Sequence, residues 1–527
     1  MKKISFLLLG LIIALSGISQ NYFESMIPPT DGFKREAKLV VETHDHGYIV
    51  SCDAQYIYHN DMLVSISPEG NVVNTLVFQI DGKNVKYSGL FRHPEFDDDY
   101  LAVATLITGD SYADYQQREL AFIRFDKELN ILNQNVIDLG ADYVRLSTSI
   151  KDLPKVIMKD DGTIFMAAHS LKTDGYCYLF AILTTGGELL KTKEDFSLNT
   201  SSHSLYDTFI KSKSDNSFGL IIFINGNGDG YYHVDSTLNC RMAGMLNNMP
   251  IRIVQEDPQQ THPDTTYYYA YINGTSEYLN DTAFLTTTGG RFTKHYGGVI
   301  GNCHFVTVLN DSLDVSNTNV WDIYRDLQNY KTRTLPANTK AISVTDNAVF
   351  HCGVMGLRDH SHYSGGSTAP TTVTVSKFDK ELNLIWRRHY GNNGDFYDIN
   401  TIQATEDGGC ILTGIYAKGP GYQEYYSYIL KVDENGYNSV SENEESIAKP
   451  YLCYPNPAKD IIYIEFSPDV NCKSVEIYDM DGRLVETGHG ASLQSSTINI
   501  ANLTPGLYLI KVRMSDGKEF TEKIVVK

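Results

Sequence analysis

FDKELNIL at residues 125–132 returns as FDKELNLI at residues 378–385, with the first six residues identical and an alternating strand pattern ahead of each copy. Weaker copies are ISPEGNVV from Ile66, LTTGGELL from Leu183, VDSTLNCR from Val234, LNDSLDVS from Leu309 and VDENGYN from Val432. Each reads as a strand, a polar turn and a return strand. A second signal precedes most of them, a charged turn entering an apolar strand: HDHGYIVSC from His44, DDGTIFMAA from Asp160, DNAVFHCG from Asp346 and EDGGCILTG from Glu406. Two hairpins per unit make a four-stranded blade. About seven units recur at roughly 50 to 75 residues, the range of propeller blades with long loops rather than of helical repeats. The expectation is an all-β chain with an about seven-bladed β-propeller over 20–436; six or eight blades also fit the spacing.

The last unit stops after YSYILKVD and lacks a fourth strand, while YFESMIPPTDG lies just before the first blade. The N-terminal segment is therefore expected to supply that strand and close the ring, removing open edges. Helical periodicity is nearly absent; WDIYRDLQ from Trp321 suits one short helix.

Composition narrows the partners. The 527 residues carry 44 Lys+Arg against 64 Asp+Glu, a net charge of -20, which repels phosphate backbones and argues against nucleic-acid binding. Lys2 and Lys3 precede an apolar run from Ile4 to Leu15 with small residues at Gly17 and Ser19, a signal peptide over 1–19. The run falls short of the ~20 residues that span a bilayer. No later segment approaches that length, so no transmembrane segment is expected after signal removal.

Downstream of an acidic, aperiodic linker at 437–449, IIYIEF, SVEIYDM, STINIA and LYLIKVRM alternate as short strands of a small Ig-like β-sandwich over 450–527. YPNPA from Tyr454, VEIYDMDGRLVETG from Val475, LTPGLYLIKV from Leu503 and the terminal EKIVVK resemble the type A C-terminal sorting domain of the type IX secretion system of Bacteroidota. The motif positions are Tyr454, Pro455, Asn456, Pro457, Gly482, Gly506, Tyr508, Lys523 and Lys527. The resemblance implies recognition by the type IX machinery, cleavage in the linker by its sortase-like protease, and delivery to the outer-membrane surface or the medium. Cys453 and Cys472 flank the first strand of this region and are the candidate disulfide. Upstream, the repeat resembles propellers common in Bacteroidota surface proteins, a likeness that implies no single activity. WD40, kelch and sialidase signatures are absent. Only Trp321 and Trp386 occur, so quinoprotein docking motifs are missing as well, and no cofactor is expected.

Residues that recur at one blade position hold turns before they perform reactions. His44-Asp45-His46 looks like a ligand set but occupies the turn filled elsewhere by Asp160-Asp161-Gly162 and Glu406-Asp407-Gly408. His360 and His362 lack an identifiable third ligand, NGNGDG from Asn225 lacks the distal Glu of a calcium loop, and Asp97 to Asp99 read as a solvated run. Asp-Ser/Thr pairs at Asp235, Asp264, Asp281 and Asp311 look like Bacteroidota O-glycosylation sequons, and turn chemistry explains them equally. Neither catalytic nor metal residues are assigned. The binding candidates are the tyrosines of three non-repeating loops, Tyr112 and Tyr115, Tyr363, and Tyr422, Tyr425 and Tyr426, since aromatics bury area at low entropic cost. These features fit an exported, noncatalytic glycan- or protein-binding or scaffold propeller. The competing reading is a surface hydrolase acting on glycan or peptide in the central depression.

Overall fold

The computed structural model describes residues 22–29, 33–54, 59–109, 116–146, 153–196, 203–212, 214–224, 228–245, 251–253, 266–271, 275–293, 299–310, 312, 315–320, 333–356, 370–392, 394–418, 425–437, 451–454, 458–459, 461–466, 472–479, 483–488, 495–514 and 519–526. Every element among them is a β-strand. The chain divides into two compact units, 1–442 and 443–527.

The first unit is a seven-bladed propeller. Blade 1 consists of Arg35–Glu42, Tyr48–Ala54, Met62–Ile66 and Val72–Leu76, hydrogen-bonded in that order. Lys83–Arg92, Asp99–Thr108, Gln116–Asp126 and Ile131–Asp138 make blade 2; Lys155–Met158, Ile164–Lys172, Gly175–Leu183 and Leu189–Asp195 make blade 3. Tyr143–Arg145 pairs with strands of both and joins them into one sheet. Blade 4 runs from His203–Ser212 through Ser217–Ile224 and Gly228–Val234 to Cys240–Met245. Blade 5 is Ser276–Asn280, Ala283–Thr293, Val299–Asn310 and Val315–Val320; blade 6 is Ile342–Val344, Val349–Gly356, Thr371–Phe378 and Leu384–Tyr390. Blade 7 takes Phe396–Ala404, Cys410–Ala417 and Tyr425–Val432 from the end of the unit and its outermost strand, Phe23–Ile27, from the beginning. The N-terminal segment does close the ring.

Seven seams hold the blades together, each with its own buried cluster. Phe165 and Phe180 face Phe218 and Leu220 between blades 3 and 4, while Tyr231 faces Phe284 between blades 4 and 5. Between blades 7 and 1, Ile411 and Ile429 pack with Phe23, Tyr48 and Val50. The second strands of blades 1, 2 and 3 are buried on both faces and read as near-continuous apolar runs, as in YLAVATLI.

Both recurring sequence signals form turns at the same end of the blades, because Glu42 pairs with Tyr48 and Tyr48 with Ile66. In the turn between third and fourth strands, the first N–H donates to the fifth carbonyl: Asp126 to Asn130, Asp235 to Asn239 and Asp379 to Asn383. The Asp carboxylate then accepts the backbone N–H of that same Asn, at 2.8, 2.9 and 2.7 Å. Hydrogen bonding from Thr237 and Asn239 holds the Asp235 carboxyl far below the usual range, and the Asn383 side chain lowers that of Asp379. Thr237 Oγ1 donates to Asp235 Oδ1 at 2.6 Å within the same turn.

The second unit packs a three-stranded sheet, Tyr451–Tyr454, Ile461–Phe466 and Ser495–Asn499, with a four-stranded one, Leu484–Gly488, Cys472–Tyr478, Gly506–Met514 and Glu519–Val526. Ile462, Ile464, Ile477, Ile510, Val512 and Ile524 form its core. Cys472 is a free buried thiol with Sγ 3.6 Å from the carbonyl oxygens of Ser474 and Arg513, rather than half of the expected Cys453–Cys472 bridge. The two cysteines lie in different sheets, and the side chain of Cys453 is outside the described residues. The signal peptide, the Trp321 segment, His360, His362 and the linker from residue 438 also fall outside them.

Candidate functional site

The end of the propeller opposite the recurring turns carries the connections between second and third strands. Residues 109–115 leave blade 2 there, 357–370 leave blade 6 and 418–424 leave blade 7. All three tyrosine-bearing stretches singled out from the sequence therefore join strands at this one face. Tyr112, Tyr115, Tyr363 and Tyr422 lie outside the described residues. Tyr425 and Tyr426 open the third strand of blade 7 and, one residue apart on a strand, turn to opposite sides.

Tyr425 lies under the Lys34 ammonium, 3.7 Å from ring centroid to Nζ. With Arg35, Glu36 and Ile415 the pair lines a cleft of about 80 Å³, well below the 300 Å³ or more of a ligand-engulfing pocket. Tyr426 packs against Tyr416 at 5.8 Å and contributes to the seam between blades 6 and 7, so it acts as core more than as recognition surface. Tyr416 in turn donates its hydroxyl to Asp395 Oδ2 at 3.0 Å.

Below the cleft, blades 1 and 2 bury an ionic network that sequence reasoning missed. Asp61 is fully buried and accepts the backbone N–H of Ala54 at 2.9 Å, that of Tyr87 at 3.1 Å and the Lys86 ammonium at 2.5 Å. Burial, reinforced by the charge of Asp53, pushes the Asp61 carboxyl up to about 6 against the pull of Lys86. Lys38 reaches Asp53 at 2.7 Å, and Arg35 donates to the Asn60 carbonyl at 2.5 Å. A raised carboxyl near a cleft has the electrostatics of a general acid. Asp61, however, is fully buried and spends its oxygens on backbone amides and Lys86, which makes it a fastener of the Asp53–Asp61 bend. Nothing local marks it in the sequence: HNDMLV around Asp61 has no repeat counterpart.

The inner strands of blades 1, 2, 4 and 7 carry bulges within their length, with register shifts at Ala37/Val40, Tyr87/Gly89, Leu205/Asp207 and Ile399/Thr401. Bulges re-aim side chains, and here they serve stitching. Asn400, freed from the ladder, donates Nδ2 to the Ala37 carbonyl at 2.9 Å, from blade 7 to blade 1. Thr413 Oγ1 donates to the carbonyl of the bulged Lys38 at 2.9 Å.

In the second unit, Tyr508 is buried and donates its hydroxyl to the Thr504 carbonyl at 2.8 Å, pinning the Thr504-Pro505-Gly506 reversal at the start of its strand. Gly506 opens that strand, Lys523 pairs across from Leu509, and Tyr454 ends the first strand. Pro455, Asn456, Pro457, Gly482 and Lys527 lie outside the described residues.

Among solved structures, the chain is similar to a polysaccharide lyase at TM-score 0.42 and 10% identity, covering 76% of this chain and 90% of that one. Drosophila Semaphorin 2a matches at TM-score 0.44 and 6% identity, covering 96% and 98%, and a quinoprotein alcohol dehydrogenase-like protein from Bacteroides thetaiotaomicron at 0.32 and 10%, covering 69% and 68%. No curated protein matches the chain. Residues 452–527 match the family described as the secretion system C-terminal sorting domain, and the protein is exported by type IX secretion to the cell surface or the extracellular space.

Proposed function

We propose that the propeller is a noncatalytic binding or scaffold module for a glycan or protein ligand, received on the face that carries the connections between second and third strands. The observation that supports this reading is the segregation of the two faces. Recurring hydrogen-bonded turns occupy one end of the blades, whereas the tyrosine-bearing stretches, which recur nowhere, all join strands at the other. Rigid scaffolds carry recognition on such variable loops. Three of the carboxylates near that face are engaged internally, Asp61 with Lys86, Asp53 with Lys38 and Asp395 with Tyr416. Glu24, raised by its burial, belongs to the outermost strand and so lies away from the central depression that a hydrolase would use.

The delivery route completes the proposal. A signal peptide over 1–19 directs export in a Bacteroidota cell, and the type A sorting signal is removed in the 437–449 linker by the sortase-like protease of the type IX machinery. An array of glycans and host proteins probed with the purified chain, with product analysis on every ligand retained, tests the functional reading. Saturable binding with intact ligand supports it. Turnover of a bound ligand replaces it with the hydrolase, and absence of binding across the array leaves only the scaffold role.

A further inference from the structure

At the seam where the last blade meets the first, three ligand-type side chains converge on the turn-bearing side. Glu42 ends the inner strand of blade 1, His46 belongs to the turn that follows, and Glu406 begins the equivalent turn of blade 7. One oxygen of each carboxylate and one imidazole nitrogen lie within 4.8 Å of one another. Glu42 is buried and its Oε1 faces His46 Nδ1 at 3.2 Å. Both carboxylates are oriented from behind. The Glu406 backbone N–H donates to Glu42 Oε2 at 2.9 Å, and Arg92 pairs with the Glu406 carboxylate while donating Nε–H to the Glu42 carbonyl at 2.7 Å. Such outer partners are what metal-binding carboxylates require.

Tyr48 adds an independent observation. It stands directly across from Glu42 in the strand register and is only 1% exposed, yet its hydroxyl has no hydrogen-bond partner. That hydroxyl lies in the field of Glu42, Asp407 and Glu406. A buried polar atom left open in the field of Glu42 and Glu406, two of the three ligand groups, is one that a metal-bound water satisfies. The charges agree: two carboxylates against one guanidinium leave the cluster with one negative charge, while the neighbouring Asp45–Lys127 and Asp407–Lys431 pairs, each at 2.7 Å, are already balanced.

We propose that Glu42, His46 and Glu406 form a divalent transition-metal site of the Zn²⁺ type that staples blade 7 to blade 1. One imidazole nitrogen with two carboxylate oxygens suits zinc, whereas calcium and magnesium favour all-oxygen sets. Water fills the remaining position. The donors come from opposite ends of the unit's sequence, so binding draws on the closed ring and returns stability to it.

The equivalent turns supply a clean variant. His46 sits at φ 62°, where blades 3 and 7 place Gly162 at 78° and Gly408 at 81°. His46→Gly therefore keeps the turn while deleting the donor. The full chain, stripped with EDTA, is titrated with Zn²⁺ or Ca²⁺ and followed by thermal unfolding and by competition with a chromophoric chelator. The expected result is a Zn²⁺-dependent rise in wild-type Tm that Ca²⁺ does not give, lost in His46→Gly, with affinity reduced at least about tenfold in Glu406→Gln. A wild type with no rise overturns the proposal. So does a rise that survives intact in His46→Gly, which would place the ion on other histidines.

Discussion

Leu129, Leu238 and Leu382 adopt φ of 67°, 66° and 62° at the fourth position of their turns, a region that costs an L-residue about 1 kcal/mol or more. What offsets this is burial: the three are 5%, 0% and 4% exposed and plug the seams between blades. Where the same position is Gly187, an aromatic takes the space, and a Cβ there would stand 2.6 Å from Phe122. Leu382→Gly is expected to lose about 2 to 4 kcal/mol of packing and recover only about 1 from the backbone, a net loss that chemical denaturation measures. Leu132→Ser, two residues past the turn in an outermost strand and 45% exposed, is expected to change stability by less than about 0.5 kcal/mol. FDKELNIL was legible as strand, turn and strand, but which leucine is buried was not, because the polar turn hides the plug and the apolar pair after it faces solvent. Asp61→Ala, leaving Lys86 buried without its partner, is expected to cost about 3 to 5 kcal/mol. Since the folded carboxyl titrates at about 6, above its unfolded value, the stability that its protonation contributes is fully present below the usual carboxylate range and lost as pH rises through about 6. Measuring unfolding across pH 4 to 7, with a variant such as Asp61→Ala as reference, checks the sign: a wild type that gained on that variant as pH rose through 6 would contradict the raised value.

Phe23–Ile27 is the element on which the ring depends. It runs antiparallel to Tyr425–Val432, from Phe23 opposite Lys431 to Ile27 opposite Ser427, and buries Phe23 and Ile27 in the seam with blade 1. Removing residues 20–27 leaves an unpaired edge on blade 7, and light scattering on the deletion is expected to find oligomers or aggregate where the parent is monodisperse. A monodisperse deletion with unchanged Tm would mean the strand is dispensable. This closure was legible, since YSYILKVD lacked a following strand and YFESMI lacked a preceding one. The inner strands of blades 3 and 6 were not. Tyr143–Arg145 and Lys155–Met158 pair with opposite ends of one neighbour, as do Arg333–Pro336 and Ile342–Val344, and pieces of three or four residues carry too little alternation to read.

At the scale of the molecule, the repeat that reveals the fold is the part least concerned with recognition. Its Asp, Asn and Gly residues are committed to closing hairpins at one end of the blades, and residues at the other end are free of that constraint. The same logic explains why the ionic network of Asp61, Lys86, Asp53 and Lys38 escaped detection: its members come from separate strands of blades 1 and 2 and meet only in the folded ring. The sorting signal resides in the C-terminal unit, whose motif TPGLY is physically a turn pinned by the Tyr508 hydroxyl. Recognition is the claim most open to direct attack. For any ligand retained by the array, affinity is measured for the parent chain, for a variant with Tyr112, Tyr115 and Tyr422 replaced by Ala, and for one with His44, Lys127 and Glu128 replaced by Ala on the turn-bearing face. Binding weakened at least about tenfold in the first variant and unchanged in the second is the outcome expected of a loop-face receptor, a loss of some 1.4 kcal/mol. Unchanged binding in the tyrosine variant, with loss confined to the turn-face variant, would contradict it.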